Sequence, residues 1–187
     1  MPLRLPPVLS PVDLPEAELS AARLDGELFR VGDCFSPIDE IENPVHRARA
    51  LSAGLSDRLI AEQTSAAWIW GAQSTPPQQH QLCVAIDARV GRFGGGRLAV
   101  REVVIEPSEV VSLDGMLVTV PLRTAVDLAR FGTTFDASVV NSLMRIGGFT
   151  VADCLADLDR RRNLPNKRRA QQRLVAARGG RLVAPRG

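Results

Sequence analysis

Few side chains in this sequence could transfer a proton, attack a carbonyl or hold a metal. They are His46 and His80, Cys34, Cys83 and Cys154, and the carboxylates. Two histidines and three scattered cysteines cannot build a structural zinc site without borrowing acids, and His80-Gln81-Leu82-Cys83 has no second pair near it. A Ser-His-Asp triad would have to recruit His46 or His80, and no serine stands in a Gly-x-Ser-x-Gly turn. Restriction-type nucleases pair metal-binding acids with a lysine on a strand, whereas the single lysine here, Lys167, sits in a basic segment with no acid beside it. Phe93-Gly94-Gly95-Gly96-Arg97 lacks the Lys-Ser/Thr and the following helix of a phosphate-binding loop, so it reads as a hairpin connection. Arg123 and Asp127 are one helical turn apart, and Asp127 also reaches Arg130. Their spacing reads as a surface ion pair rather than acid–base machinery. Tyrosine is absent, which excludes a tyrosine acid, nucleophile or base-stacking platform. No catalytic set, metal or cofactor is expected.

The element that positions Arg123 and Asp127 begins at Val118-Thr119-Val120-Pro121. A β-branched run meets a proline, which suits a first helical turn because its missing N–H would have had no partner there. Leu122, Ala125, Val126 and Ala129 then follow at helical spacing, with Arg123 and Asp127 on the opposite face. Earlier in the chain, Asp13-Leu14-Pro15-Glu16 has the form of a capping box. It opens a helix with Leu14, Ala17, Ala21 and Leu24 on one stripe, followed by two strands around Gly32-Asp33. Asn43-Pro44 starts a helix to Gly54 with Val45, Ala48 and Leu51 inward, residues 58–62 read as a short strand, and Thr64 or Ser65 caps a helix stopped by Gly71. Residues 82–86 and 97–105 are the clearest strands and read as an antiparallel pair, and Asp114-Gly115 makes a second turn. Helices follow from Asp136 to Ile146, from the Thr150 capping box to about Arg162, and from Asn166 to Gly179. The expected class is α+β: a partial winged helix (helix plus hairpin) followed by a mixed, mainly antiparallel sheet packed with helices, with a helical basic C-terminus. The expected divisions are residues 1–42, 43–162 and 163–187.

At 187 residues with 45% hydrophobic content, the chain can bury a core without disulfides or metal. The odd, dispersed cysteines read as reduced thiols, and no leader or membrane-length apolar run is visible, so a cytoplasmic protein is expected. The net charge of +2 hides an asymmetry: residues 1–159 hold all 21 acids and 13 of the 23 basic residues, leaving −8 there and +10 on residues 160–187. Arg161, Arg162, Lys167, Arg168, Arg169 and Arg173 form the sharpest basic cluster. They could contact nucleic acid non-specifically through its phosphates, and a helix docked on the chain's own acidic surface is the equal alternative. Trp68 and Trp70, two residues apart on a helix, point in different directions. One is expected in the core, and the other is a candidate partner anchor, although two partly buried tryptophans fit as well.

The run Thr64-Ser65-Ala66-Ala67-Trp68-Ile69-Trp70-Gly71 and, above all, Val118 to Ala129 resemble the AbiEi-type antitoxins of type IV toxin–antitoxin pairs. The resemblance spans roughly residues 14–165. It implies a winged-helix segment that binds the operon's promoter, an α/β region counteracting a nucleotidyltransferase-like toxin, and no cofactor. It makes the chain a non-enzymatic transcriptional regulator with DNA and a cognate toxin as partners. Trp68, Trp70 and Arg123 are the candidate partner-binding residues. Two departures stand out. Only one helix precedes the hairpin, and that helix is acidic, with Asp13, Glu16, Glu18 and Asp25 against Arg23, so phosphate would repel it. An orphan protein-interaction module that has lost specific DNA binding is the alternative reading.

Overall fold

The computed structural model describes residues 6–86, 96–161 and 164–179. Helix α1 (Glu16–Leu24) precedes the antiparallel hairpin β1 (Leu28–Val31) and β2 (Cys34–Pro37). Gly32 turns that hairpin at φ +61, with the Trp68 ring 3.2 Å from where a Cβ would stand, so both the backbone and the close approach call for glycine. The capping box expected at Asp13 is not formed. Its carboxylate instead accepts from the backbone N–H and hydroxyl of Ser10, and α1 starts at Glu16 with no side-chain cap. The inward residue of α1 is Leu19, packed with Leu9, Leu28 and Phe35, while Leu24 is 79% exposed. Helix and hairpin are present, and Leu9 adds a short antiparallel bridge to Phe35.

Helix α2 (Pro44–Ser52) starts as the sequence implies, with Asn43 Oδ1 accepting from the N–H groups of Val45 and His46. Its buried residues are His46, Ala48, Ala50 and Leu51, whereas Val45, expected inward, is 41% exposed. The two-residue strand β3 (Ile60–Ala61) leads into α3 (Gln63–Ile69). Neither Thr64 nor Ser65 caps that helix from within. Gln81 Oε1, reaching across from the next strand, accepts from the Thr64 N–H and hydroxyl. Strands β4 (His80–Ala85), β5 (Leu98–Val103), β6 (Val110–Leu113) and β7 (Met116–Thr119) complete a five-stranded sheet of order β5-β4-β3-β7-β6.

The sheet departs from expectation at one edge. Strands β4 and β5 run parallel, with His80 opposite Leu98 and Ala85 opposite Val103. Residues 86–97 lie between them, about the dozen that a parallel return requires, whereas a tight hairpin needs only a few. The glycine-rich run at 91–96, assigned to a hairpin, lies outside the described residues apart from Gly96. Two of the four pairings are parallel (β4–β5 and β3–β7) and two antiparallel (β3–β4 and β6–β7), so the sheet is mixed rather than mainly antiparallel.

Helix α4 (Pro121–Phe131) leaves β7 at the expected place and is buried from Arg123 to Arg130. The junction is held by the Thr124 hydroxyl, which lies 2.8 Å from the Thr119 hydroxyl and 3.0 Å from the Thr119 carbonyl. Helices α5 (Ala137–Gly147), α6 (Val151–Arg160) and α7 (Lys167–Gly179) pack around it. Asp136 caps α5, Gly148 ends it in the left-handed region, and Thr150 with Asp153 forms the capping box of α6. Val126, Val140, Leu143, Leu158, Ala170 and Leu174 share one core cluster, so the basic C-terminal helix is an integral layer and not a free tail. No single helix among the described residues is long and apolar enough to cross a membrane.

Because Leu174 is fully buried, Leu174→Ala is expected to cost about 2–5 kcal/mol in urea unfolding, while Val175→Ala, at a position 56% exposed, should stay within about 0.5 kcal/mol. Similar effects from both would mean that α7 is not part of the core.

Candidate functional site

The interior of α4 is charged. Arg123, expected on a solvent-facing ion pair, has a side chain only 4% exposed, and that of Asp127 is 1% exposed. The face assigned to solvent is covered by β5 and by the turn Pro107–Glu109, so the pair becomes the centre of a network. Arg123 donates from Nε to Asp127 Oδ2 at 2.8 Å and from Nη1 to Glu109 Oε2 at 2.7 Å. Arg130 donates from Nη1 to Asp127 Oδ1 at 2.8 Å and from Nε to the Pro165 carbonyl. Arg101, on β5, makes a two-pronged bond to Glu62 at 2.5 and 2.6 Å, and its Nη2 reaches Asp127 Oδ2 at 3.5 Å. Arg161 meets Glu109 and Asp157, and Arg160 donates to Asp157.

The electrostatics follow from burial. Desolvation opposes the Arg101 charge, but the hydrogen bonds and charge of Glu62, with Asp127 behind, outweigh it and raise its pKa. Desolvation wins at Arg130 and Arg161, whose pKa values are lowered. The Phe131 ring lies 4.2 Å from the Arg101 guanidinium and 4.4 Å from that of Arg130, so both cations rest on its π surface. A cleft of about 610 Å³ opens in front of Arg101, Arg123, Arg130 and Arg161, with Glu102 and Glu106 at its edge.

His80 and the three cysteines are buried. Ser65 Oγ accepts the Gln81 N–H and lies 3.1 Å from His80 Nδ1, where the histidine tautomer decides which of the two donates. Both residues are buried, which leaves a Ser–His pair with no room for a substrate. Burial lowers the His80 pKa, raises the Cys34 and Cys83 thiols, and pushes Cys154 up to about 12. Among the described residues no group of three His, Cys, Asp or Glu is arranged to hold a metal.

The other residues singled out in the sequence are placed as follows. Trp68 is 2% exposed, and Trp70 is half-buried with its indole N–H on the Thr119 carbonyl at 2.8 Å, so neither stands out as a surface anchor. In the basic segment Lys167 pairs with Asp159, Arg169 donates to the Gly132 carbonyl, and Arg173 donates to the Ala129 and Gly132 carbonyls beside the Phe135 ring. Arg161 is engaged as above, Arg168 is exposed, and Arg162 lies outside the described residues. Docking on the chain's own body thus occupies most of the cluster. Glu62, Arg101, Glu109 and Asp157 were not singled out in the sequence. Glu62 lies between β3 and α3, Arg101 on β5, Glu109 in the 107–109 turn and Asp157 on α6, so distance along the chain and not a local pattern separates them from Asp127.

Residues 59–182 match the model of the AbiEi antitoxin C-terminal domain. The chain belongs to the AbiEi antitoxin family. The match runs from β3 through α7 and so contains every member of the charge network. No curated protein matches the chain. Among solved structures, the chain is similar to the RV2827C protein from Mycobacterium tuberculosis at 17% identity and a TM-score of 0.48, covering 92% of this chain and 72% of that one.

Replacing Asp127 by Asn leaves Arg123 and Arg130 without their shared anion. The expected loss is about 3–5 kcal/mol of unfolding free energy; a change under about 1 kcal/mol would show the network to be solvated. His80 has its own pH signature. Because its folded pKa lies below its ordinary 6.5, the unfolded chain binds more protons, and the neutral ring's contribution is complete above that value and lost as pH falls below it. Urea midpoints at about pH 7.5 and 5.5 should therefore differ more for the parent chain than for His80→Gln.

Proposed function

We propose that this chain is an antitoxin-like transcriptional regulator of a type IV toxin–antitoxin pair, cytoplasmic and non-enzymatic, that counteracts a nucleotidyltransferase-like toxin. The family match over residues 59–182 carries this reading. The charge network supports it from the side of chemistry. The carboxylates of Glu62, Glu109 and Asp127 are occupied by arginines, which argues against them as general acids or nucleophiles.

We divide the chain at 42/43 into a remnant winged-helix segment and an α+β body. Residues 163–187, set apart on charge, include α7, which shares the body's core. The toxin-facing surface is not placed on Trp68, Trp70 or Arg123, because all three are held in the interior or half-buried. DNA contact is proposed to be weak and non-specific, made by what the internal pairs leave open, with Arg168 and Arg160 foremost. The acidic α1, with Glu16, Glu18 and Asp25 exposed, favours a second reading as an interaction module without specific DNA recognition.

Co-expression with a nucleotidyltransferase-like toxin encoded beside this chain tests the main reading. Growth should be rescued by the parent chain, and failure of a folded, expressed chain to rescue would remove the antitoxin assignment. In a salt-titrated DNA-binding assay, Arg168→Ala should lower the slope of log K against log salt by about 1, equally for promoter and unrelated duplexes. Promoter-selective binding indifferent to Arg168 would restore the helix–hairpin segment as the reader.

A further inference from the structure

Each of three arginines in the network keeps one guanidinium nitrogen without a hydrogen bond among the described residues. Arg101 uses Nε and Nη2 on Glu62 and Asp127, leaving Nη1. Arg123 uses Nε and Nη1 on Asp127 and Glu109, leaving Nη2. Arg130 uses Nε and Nη1 on the Pro165 carbonyl and Asp127, again leaving Nη2. Among the described residues, the buried polar side-chain atoms without a hydrogen bond are His46 Nδ1, Asp157 Oδ2 and Arg161 Nη2, the last two held in ion pairs with Arg161 Nε and Glu109. The three nitrogens are not in that set, and all three residues line the same cleft.

We propose that this cleft binds the terminal phosphate or pyrophosphate group of a small ligand, through the free guanidinium edges of Arg101, Arg123 and Arg130. Planar guanidinium donors match the oxygens of a phosphate, and three converging on one cavity can share it. The carboxylates behind them fix their direction. Asp127 locks Arg123 and Arg130, Glu62 locks Arg101, and Phe131 lies beneath two of the planes. Such preorganisation spares the ligand the ordering of long side chains. An ion cluster serving stability alone has no need to leave three donors unfilled in one concavity.

Size and surroundings narrow the ligand further. About 610 Å³ is room for a small molecule. Val103, Val104, Leu164 and Pro165 supply apolar wall for the part that is not phosphate. The exposed carboxylates of Glu102 and Glu106 flank the opening, and Glu106 is close enough for its charge to act on Arg161. A nucleic-acid backbone would have to pass both carboxylates with several phosphates, whereas a small ligand inserts one end. The site is independent of whether a toxin is the partner.

The full chain is titrated calorimetrically with inorganic pyrophosphate, with a nucleoside triphosphate and with a 5′-phosphorylated oligonucleotide. Saturable one-to-one binding of pyrophosphate and the triphosphate is expected, with the oligonucleotide weaker. Arg101→Gln should weaken binding roughly tenfold, as loss of a charged hydrogen-bond donor does. Glu106→Gln keeps the side-chain oxygen, removes the charge at the opening, and should strengthen binding about twofold. The second variant carries the test even if the first lowers the melting temperature. No saturable pyrophosphate binding, tighter binding of the oligonucleotide, or affinities unmoved by Glu106→Gln would overturn the site.

Discussion

A single buried carboxylate governs the arrangement of this protein. Asp127 is 1% exposed and takes hydrogen bonds from Arg123 and Arg130 on its own helix, with Arg101 of the sheet edge near one of its oxygens. A lone carboxylate at that depth would be expelled or protonated. Surrounded by guanidiniums, it becomes the point at which β5, the 107–109 turn, α4 and the end of α6 have to meet. Buried ion pairs are weak sources of net stability, because desolvation offsets most of their attraction. Their consequence here is geometric: removal of any partner strands the others.

That constraint explains features that look unrelated. Strand β5 lies parallel to β4 and carries Arg101, whose guanidinium lies on Phe131. Arg161 follows the last turn of α6 and closes against Glu109 and Asp157. Helix α7 completes the enclosure, with Ala170 and Leu174 in the core while Arg169 and Arg173 cap carbonyls at the end of α4. The basic C-terminal segment thus has a structural occupation, which limits what it offers to nucleic acid. Within the same family domain that supports an antitoxin-like role, Arg101, Arg123, Arg130 and Arg161 are held around a cleft.

Local chemistry made much of the fold legible. Asn43-Pro44, Asp136, the Thr150 capping box and Pro121 each start a helix where the sequence implies, because capping is decided within one turn of chain. The Gly32 and Gly115 turns and the stripe Ala125, Val126, Ala129 are equally local. The Asp13 box failed for the same reason in reverse: a competing acceptance from Ser10 satisfied the aspartate before the helix began. The helix after β3 takes its side-chain acceptor from Gln81, eighteen residues beyond Gln63, and no reading of neighbours could supply that.

The sequence by itself determined most of the helix starts, the charge asymmetry and the family. Each depends on residue type and short-range spacing. Tertiary structure decided the direction of β5, the burial of Arg123 and Asp127, and the engagement of the basic segment. An Arg–Asp pair one turn apart has the same sequence signature at the surface and in the interior. What separates them is whether other elements bring further charges and exclude water, and those elements come from positions 62, 101, 109 and 161, far apart in the chain.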